Sequence, residues 1–335
     1  MTASGVAIAY DVIMALLGSF LIILGIVLFM VCKKKPVESE ETLPVKLCAQ
    51  AYPLTDIDSA TDGFNPTRMI GQGRLGAVYS GVLSKDQQLV AVKRIHPRLV
   101  LSNAGFGFSS VVKSISLAFH PNIVPILGFS QAPGERIIVT EFISLGSLDF
   151  YLHQNPDGAA LLDWSRRLRI ASGTAQGLEY LHEGTAPSIV HGCVKSSNIL
   201  IDDRICARVS DFGLSFLAPQ EKRGLLGFVD DEYWVERGVP CKETDVYGFG
   251  VLLLEILSGR RSEEGLLAKW ALPLIKEMRF IEFLDPRLVI PSDIKPLVRL
   301  ARVALACVGN SRKSRPSMVQ VAAILSNLEM EVSCP

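Results

Sequence analysis

The longest apolar stretch of the chain is an uncharged segment from 12 to 32. At a helical rise of about 1.5 Å per residue, it would span about 31 Å, which is the thickness of the hydrocarbon core of a bilayer. Three lysines follow it at 33–35, whereas Asp11 precedes it. We therefore expect a transmembrane helix over 12–32, with 1–11 outside the cell and the remainder in the cytosol. A cleavable signal peptide is disfavoured because the chain lacks a basic start.

Two helices of different burial are predicted further along the chain. Apolar residues recur every three or four positions from Trp164 to Leu181, which indicates an amphipathic helix of about 20 residues with Asp163 as its N-terminal cap. From Val246 to Leu257 nearly every position is apolar. Because this stretch is too short to cross a membrane, it predicts a helix in the centre of a folded domain.

A glycine-rich segment precedes two predicted strands. Its glycines and the following valine have the spacing Gly-x-Gly-x-x-Gly-x-Val: Gly71, Gly73, Gly76 and Val78. Missing side chains let backbone N–H groups approach phosphate oxygens. A dinucleotide site would need a helix directly after such a motif. Instead 77–82 continues as a strand, and 89–93 forms a second strand that presents Lys93, so we predict a hairpin that covers a nucleotide.

Composition and charge narrow the function class. The 34 Lys and Arg residues balance the 34 Asp and Glu residues, so the net charge is zero and a strongly basic nucleic-acid-binding protein is excluded. The seven cysteines lack the paired spacing of a disulfide framework or a zinc site, and we expect reduced thiols in the cytosol. Between 33 and 63, prolines and mixed charges predict a flexible juxtamembrane linker.

From roughly 53 to 330 the chain resembles the protein kinases, specifically the plant receptor-like kinases related to Pelle and the interleukin-receptor-associated kinases. The resemblance rests on ordered motifs: Gly71 to Val78, Ala91 to Lys93, His120 to Val124, Lys195 to Leu200, Asp211-Phe212-Gly213, Asp245 to Gly250, and Arg315 to Met318. It implies an α+β, two-lobed protein-kinase-like fold over 64–330, with lobes 64–143 and 144–330 and a tail at 331–335. With the predicted transmembrane helix before it, this would be a single-pass protein of the plasma membrane.

The resemblance also implies a site for ATP with Mg²⁺. Lys93 would hold the α- and β-phosphates, Asp211 and Asn198 would bind Mg²⁺, and Thr140 would be the gatekeeper before the hinge. The other implied nucleotide-binding positions are Ile70, Gly71, Gly73, Gly76, Val78, Ala91, Glu141, Ile143 and Leu200. Structural roles fall to His191, Phe212, Gly213, Glu232, Asp245 and Arg315, and we expect Glu232 to pair with Arg315.

The position of the catalytic base departs from the family pattern. His-Arg-Asp is replaced by His191-Gly192-Cys193, so a thiol stands two positions before Lys195 where the family has a carboxylate. The resemblance makes Cys193, at the position of the missing base, and Lys195 the two catalytic positions. A thiol is a poor hydrogen-bond acceptor and mostly neutral at pH 7. Loss of a positioned base typically lowers the rate by about 10²–10⁴. We interpret Cys193 as an inert residue that fills the space, rather than as a redox-sensing thiolate activated by Lys195.

Further departures affect the regulation of the implied kinase. No acidic residue occurs between 87 and 134, so the helix glutamate that pairs with the strand lysine is missing, and Val111 stands near its position. Gly192 replaces the arginine that receives an activation-loop phosphate, and 216–232 contains no Ser or Thr. Asp230-Asp231-Glu232 stands where Ala-Pro-Glu is usual, which weakens the implied platform for a peptide substrate.

These observations predict a membrane-anchored receptor-like kinase homologue that is catalytically impaired or inactive, binds ATP and acts as a signalling scaffold or allosteric regulator. Its partners would be active receptor-like kinases or other signalling proteins at the membrane, the bilayer through 12–32, and no nucleic acid. Two alternatives stay open: an active but atypical Ser/Thr kinase that transfers the ATP γ-phosphate to protein hydroxyls, and an adaptor with a collapsed nucleotide cleft. The oligomeric state is left open.

Overall fold

The structure, a computed structural model, divides the chain into two units, 1–47 and 48–335. It describes residues 16–20, 22–24, 48–102, 107–218, 224–236, 238–262 and 266–333. In the first unit the two described stretches, 16–20 and 22–24, are helical. The second unit contains the two lobes described below.

The prediction of a membrane anchor is not upheld. Most of the span from 12 to 32 lies outside the described residues, as do 1–11 and 33–47. Within the described residues, no helix combines the length and the apolar character needed to cross a bilayer. On this finding, the predictions of a transmembrane helix and of a single-pass plasma-membrane protein with its N-terminus outside are wrong.

The small lobe is built on a six-stranded sheet with the strand order β1-β5-β6-β4-β3-β2. Its strands are β1 (Gln50–Ala51), β2 (Met69–Gln72), β3 (Gly76–Val82), β4 (Leu89–Ile95), β5 (Ile126–Ala132) and β6 (Glu135–Glu141). Strand β1 runs parallel to β5, and the other neighbours are antiparallel. The predicted hairpin is confirmed as β3 and β4, in which Val78 lies opposite Lys93.

Helices cover both faces of this sheet. They are α1 (Leu54–Thr61), α2 (Pro97–Ser102) and α3 (Phe108–Ile115). Ile57 of α1 shares an apolar cluster with Val90 and Val92, which point to one side of β4. Phe108 of α3 lies in the other cluster, with its ring centroid 6.1 Å from that of Phe129. The sheet is thus held between α1 and α3, and the two apolar faces of its strands are both buried.

Two predicted boundaries differ from the structure. Residues 48–63 were predicted as part of a flexible linker, but they form β1 and α1 because Ile57 is fully buried against the sheet. At the other end, the last helix continues to Ser333, into the predicted tail of 331–335. Residues 334–335 lie outside the described residues.

The large lobe is mainly helical. Its helices are α4 (Leu148–His153), α5 (Gly158–Leu161), α6 (Trp164–Glu183), α7 (Asp231–Val235), α8 (Lys242–Ser258), α9 (Leu266–Lys276), α10 (Phe280–Phe283), α11 (Lys295–Cys307) and α12 (Met318–Ser333). A short antiparallel hairpin consists of β7 (Ile199–Ile201) and β8 (Ala207–Val209). Helix α12 packs along α6, and α11 packs along α8. The two-lobed α+β fold is therefore confirmed.

Both predicted helices of the large lobe are confirmed. The amphipathic helix is α6, and the side chain of Asp163 caps it by accepting a hydrogen bond from the N–H of Arg166 at 2.9 Å. The central apolar helix is α8, whose residues from 248 to 258 are all buried. Because α8 is enclosed on every side, it provides a rigid support for the loops that lie above it.

Helices α6 and α8 are tied together by a buried arginine. Arg167 of α6 donates hydrogen bonds to the carbonyl oxygens of Leu162 at 2.9 Å and of Ile256 at 2.6 Å. A third bond goes to the carboxylate of Asp285 at 2.8 Å, and both ionic side chains are almost completely buried. The arginine thus satisfies two buried carbonyl groups and one buried charge at once.

We expect Arg167→Leu to lower the free energy of unfolding by about 3 kcal/mol, because Asp285 and two buried carbonyls lose a donor. Arg169→Leu is the matched control: Arg169 lies two positions further along, is 47% exposed and is 3.7 Å from Glu329. The control should change the free energy by no more than about 0.5 kcal/mol. Urea denaturation of both variants measures the difference, and equal losses would contradict the role given to Arg167.

Candidate functional site

Lys93 on β4 and Asp211 after β8 form an ion pair between the lobes. The ammonium group of Lys93 contacts the Asp211 carboxylate directly, and the two side chains are 15% and 24% exposed. Helix α3, which would supply a glutamate in the family pattern, carries no Asp or Glu, and its Val111 packs against the core. Burial raises the pKa of Asp211, but the charge and hydrogen bond of Lys93 outweigh it and hold the pKa below its ordinary value. Asp211 is therefore ionised at pH 7.

The glycine-rich loop (71–76) joins β2 to β3. At Gly76 a Cβ would collide with the carbonyl oxygen of Arg94, so only glycine fits this close approach of two strands. At Gly71 and Gly73 a Cβ would meet nothing within 4 Å. The space beside these two residues is open, and it fits a phosphate group that approaches the backbone.

Apolar side chains from both lobes lie where the resemblance places a base. Val78 and Ala91 on the small-lobe sheet and Leu200 on β7 are all partly exposed, and Ile70 is exposed. Ala91 pairs with the gatekeeper position Thr140 across β4 and β6. Partly exposed apolar walls of this kind suit a planar aromatic base.

The hinge (141–143) is held to the large lobe by a residue that the sequence did not single out. Arg208 on β8 donates a hydrogen bond to the carboxylate of Glu141 at 2.6 Å. Ile143, the third hinge residue, is buried. Glu141 thus has a structural partner, and its side chain is directed to Arg208.

The catalytic loop (191–198) is held by a carboxylate of α8. Asp245, which is fully buried, accepts hydrogen bonds from the N–H groups of His191 at 2.7 Å and of Gly192 at 2.8 Å. The ring of His182 lies 2.8 Å from the same carboxylate. Burial lowers the pKa of His191, so its ring is neutral at pH 7. Gly192 has φ +80°, a conformation that glycine adopts at little cost.

Asn198 is turned toward the same loop. The side-chain nitrogen of Asn198 donates a hydrogen bond to the carbonyl oxygen of Cys193 at 2.9 Å, and Asn198 is buried. Its side-chain oxygen is the atom that remains for Mg²⁺, together with the carboxylate of Asp211. Among the described residues, no group of three or more His, Cys, Asp or Glu side chains converges on a metal site. Two oxygen ligands suit Mg²⁺ that arrives with phosphates, because Mg²⁺ commonly keeps several other ligands from water and substrate.

Cys193 is enclosed by the activation segment, which we define as 211–235. The cysteine is 6% exposed and forms an apolar cluster with Leu225, Val229 and Tyr233. Its sulfur lies 3.9 Å from the carbonyl oxygen of Gly224, and the ammonium group of Lys195 lies 3.4 Å from the same oxygen. The two predicted catalytic positions are thus brought together, but on a backbone carbonyl of the chain itself.

The start of the activation segment is packed between the lobes. Phe212 is buried in the main core, and Gly213 has φ +68°. A Cβ at Gly213 would lie 3.0 Å from the side chain of Ile115 on α3. A single turn of 3₁₀-helix follows, Ser215–Leu217, and Leu217 lines a small cavity together with Leu99 and Phe108. Helix α3 is therefore in contact with this turn.

The end of the activation segment corrects one expectation. Arg315 pairs with Asp230 and not with Glu232, and Arg312 donates to the same carboxylate at 2.9 Å. Asp230 is the N-terminal cap of α7 and accepts a hydrogen bond from the N–H of Tyr233 at 2.7 Å, which directs its carboxylate inward. Glu232 lies on the outer side of the turn and accepts a hydrogen bond from the N–H of Arg312 at 3.2 Å.

Comparisons with known proteins agree with this order of motifs. The sequence profile described as protein tyrosine and serine/threonine kinase matches residues 64–325. The chain is 34% identical over 307 residues to the serine/threonine-protein kinase PBS1 of Arabidopsis thaliana, over 87% of this chain and 66% of that protein. It is 36% identical over 299 residues to the probable serine/threonine-protein kinase PBL7 of the same plant, over 84% of this chain and 78% of that protein.

A solved structure has the same fold. It is that of the pseudokinase domain of BIR2, an immune regulator of the RLK/Pelle family; its TM-score is 0.69, its identity is 30%, and the match covers 86% of this chain and 91% of that chain. The chain belongs to the plant receptor-like protein kinases of the Pelle family. This kinase homologue spans just under two thirds of the length of PBS1, so PBS1 contains sequence outside the match.

Sequence reasoning missed four residues of this kinase homologue's site. Arg74 donates to the carbonyl oxygen of Ala218, Gly224 accepts from Lys195, Arg208 holds the hinge, and Asp230 anchors the activation segment. Three of them lie in loops or on a short edge hairpin, where no hydrophobic period identifies a partner. Asp230 carried a signal, because an Asp three residues before an apolar Tyr233 is a typical helix cap.

The Asp230 carboxylate gives a pH-dependent test. Burial raises its pKa, but the hydrogen bonds from Arg312 and Arg315 outweigh it, so the folded-state pKa is below the ordinary value. The stabilisation is therefore present above the unfolded-state pKa of about 3.9 and is lost as the pH falls through the folded-state value.

We expect Asp230→Asn to lower the free energy of unfolding at pH 7 by about 3 kcal/mol, because two buried arginines lose their counter-charge. The difference from wild type should narrow as the pH falls below about 4. Asp231→Asn, at the exposed neighbouring position, is the control and should have a small effect. Urea denaturation as a function of pH measures this, and a loss that does not depend on pH would contradict the ionic role of Asp230.

Proposed function

We propose that this chain is a catalytically impaired protein kinase homologue that binds ATP with Mg²⁺ between its lobes. In that form it acts as a scaffold or allosteric regulator of active receptor-like kinases or other signalling proteins. The observation that carries the proposal is the contrast between the two halves of the site. Lys93, Asn198 and Asp211 are kept and lie at the cleft, whereas Cys193, at the position of the base, is enclosed by apolar side chains.

The impairment follows from two missing carboxylates. At position 193 a buried thiol replaces the group that would accept the hydrogen bond of a substrate hydroxyl. On α3 no glutamate is present to hold Lys93, and Lys93 contacts Asp211 instead. An active kinase needs the lysine on the phosphates and the aspartate on the metal at the same time. Both groups are here engaged with each other.

Nucleotide binding is supported by the residues that line the cleft. Lys93 would contact the phosphates, Asp211 and Asn198 would hold Mg²⁺, and the open space at Gly71 and Gly73 would admit the phosphate chain. When bound, Mg²⁺-ATP presents the γ-phosphoryl group that active kinases transfer. Binding of Mg²⁺-ATP would separate Lys93 from Asp211, so the nucleotide-bound domain would differ from the domain in which these two side chains are paired. Because the nucleotide would bind the separated arrangement more tightly, it would shift the domain toward that conformation.

The regulatory role is supported by the likeness to BIR2. BIR2 is described as an immune regulator of the RLK/Pelle family, and the match of its pseudokinase domain covers 86% of this chain. A domain that changes shape with a nucleotide but does not transfer phosphate can act on a partner through differential binding of its two shapes.

An active Ser/Thr kinase is the second candidate function. PBS1 is described as a serine/threonine-protein kinase, and Lys93, Asn198 and Asp211 are the residues that this chemistry requires besides the base. Electrostatic groups alone can supply a large share of the stabilisation of a transition state.

We expect Mg²⁺-ATP to raise the melting temperature of the full chain, by a shift equivalent to about 2.7 kcal/mol at a concentration of 100 times Kd. Lys93→Ala should abolish the shift because it removes the phosphate contact. Lys85→Ala, at an exposed turn, is the control and should keep it. A wild-type protein whose melting temperature does not respond to Mg²⁺-ATP would point to an adaptor that needs no nucleotide.

We also expect the wild-type chain to transfer radiolabel from ATP to a generic protein substrate no faster than the Asp211→Ala variant does. The reason is that loss of the base alone lowers the rate by about 10²–10⁴. Transfer by the wild type that clearly exceeds this background would instead establish the second candidate.

A further inference from the structure

Arg74 connects the glycine-rich loop to the activation segment. Its guanidinium group donates a hydrogen bond to the carbonyl oxygen of Ala218 at 3.1 Å, and Ala218 itself is buried. This acceptor is a neutral backbone group, so the contact does not balance the positive charge of Arg74. An anion can take over a partly exposed guanidinium group held in this way, because a charge-assisted hydrogen bond is about twice as strong as a neutral one.

The backbone on both sides of Arg74 is held in place. The ring Nε2 of His96 donates a hydrogen bond to the carbonyl oxygen of Gly73 at 3.1 Å, and the backbone N–H of His96 donates to the carbonyl oxygen of Leu75 at 2.9 Å. The side chain of Leu75 is buried in the main core. Because Gly73 and Leu75 are both anchored, the side chain of Arg74 can change its partner without a movement of the loop.

Arg74 lies at the phosphate end of the proposed nucleotide site. Its neighbour Gly73 borders the open space that would admit the phosphate chain. A Cβ built on Gly224 would lie 3.8 Å from the Cβ of Arg74 and 3.4 Å from the ammonium nitrogen of Lys195. These two cationic side chains, one from the glycine-rich loop and one from the catalytic loop, are therefore close enough to contact one phosphate group.

We propose that Arg74 is a latch that the terminal phosphate of a bound nucleotide opens. The γ-phosphate of ATP takes the guanidinium group from the carbonyl oxygen of Ala218, whereas ADP ends one phosphate earlier and leaves this hydrogen bond intact. The latch presupposes the nucleotide site proposed above and gives it two further properties: a preference for ATP over ADP, and a change in the activation segment that ATP produces and ADP does not.

The hydrogen bond to Ala218 lies at the end of a turn that reaches helix α3. Ala218 follows the single 3₁₀ turn Ser215–Leu217, and its N–H donates a hydrogen bond to the first carbonyl oxygen of that turn at 3.1 Å. Leu217 lines the small cavity beside α3 together with Leu99 and Phe108. Release of Ala218 therefore loosens a turn that contacts α3, so the ATP-bound and ADP-bound domains present different surfaces to a partner.

The first test compares the affinities of the full chain for Mg²⁺-ATP and Mg²⁺-ADP by isothermal titration. Arg74→Gln should reduce the preference for ATP about tenfold, which is the factor expected for one charge-assisted hydrogen bond less a neutral one. Arg68→Gln is the matched control, because it removes the same charge just before β2 and should keep the wild-type preference. The affinity for ADP should be the same in all three proteins.

The outcomes separate the latch from the nucleotide site. If ATP and ADP bind and Arg74→Gln leaves the ratio of their affinities at the wild-type value, the latch is wrong and the proposed function stands. If Arg74→Gln weakens both nucleotides equally, the latch is also wrong, because Arg74 then supports the loop without reading the terminal phosphate. If neither nucleotide binds to the wild type, both proposals fail.

The second test follows the turn at 215–218 by amide hydrogen exchange. Without a nucleotide, Arg74→Gln should make exchange there about fivefold faster, the factor expected for the loss of one hydrogen bond, and Arg68→Gln should leave it unchanged. ATP should produce the same increase in the wild type, and ADP should not. Exchange in α8 reports whether each variant is folded. Unchanged exchange in Arg74→Gln, or equal exchange with ATP and with ADP in the wild type, would overturn the latch.

Discussion

The ion pair between Lys93 and Asp211 is the interaction on which the state of this site depends. In active kinases the corresponding groups have different tasks, since the lysine contacts phosphates and the aspartate contacts the metal. Because α3 offers no carboxylate to Lys93, the two groups meet and neutralise each other. The pair joins β4 of the small lobe to the end of β8 in the large lobe. To bind here, Mg²⁺-ATP would have to replace this ion pair with a contact between Lys93 and phosphate and a contact between Asp211 and the metal.

Around that pair, the nucleotide half and the acceptor half of the site differ in character. The proposed nucleotide half has open space at Gly71 and Gly73, partly exposed apolar walls, and the side-chain oxygens of Asn198 and Asp211. In the acceptor half, apolar side chains of the activation segment pack on Cys193, and Asp230 anchors the end of that segment through Arg315. Cys193, Leu225 and Tyr233 share one apolar cluster, and Asp230 caps the helix that carries Tyr233.

Regular elements were accessible to sequence reasoning because a period or a motif specifies them. The spacing of apolar residues gave α6 with its cap at Asp163, and the continuous apolar run gave the buried helix α8. The ordered motifs placed Lys93, Asn198 and Asp211 in one site.

The contacts of Gly224 and Arg74, by contrast, join loops distant in sequence, and no periodic pattern encodes them. Asp230 displaced Glu232 as the partner of Arg315 because cap geometry determines which carboxylate faces inward. The uncharged run at 12–32 predicted a membrane span, and no helix of the described residues combines the length and the apolar character of one.

The competition between Lys93 and the metal for Asp211 is tested most directly by isothermal titration of ATP, with and without Mg²⁺, into wild type and Asp211→Asn. In the wild type, ATP alone must break the ion pair, so Mg²⁺ should strengthen binding by taking the aspartate. In Asp211→Asn, Lys93 is released, and ATP without Mg²⁺ should bind at least about tenfold more tightly than to the wild type. An affinity for metal-free ATP that is unchanged or weaker in Asp211→Asn would contradict the account.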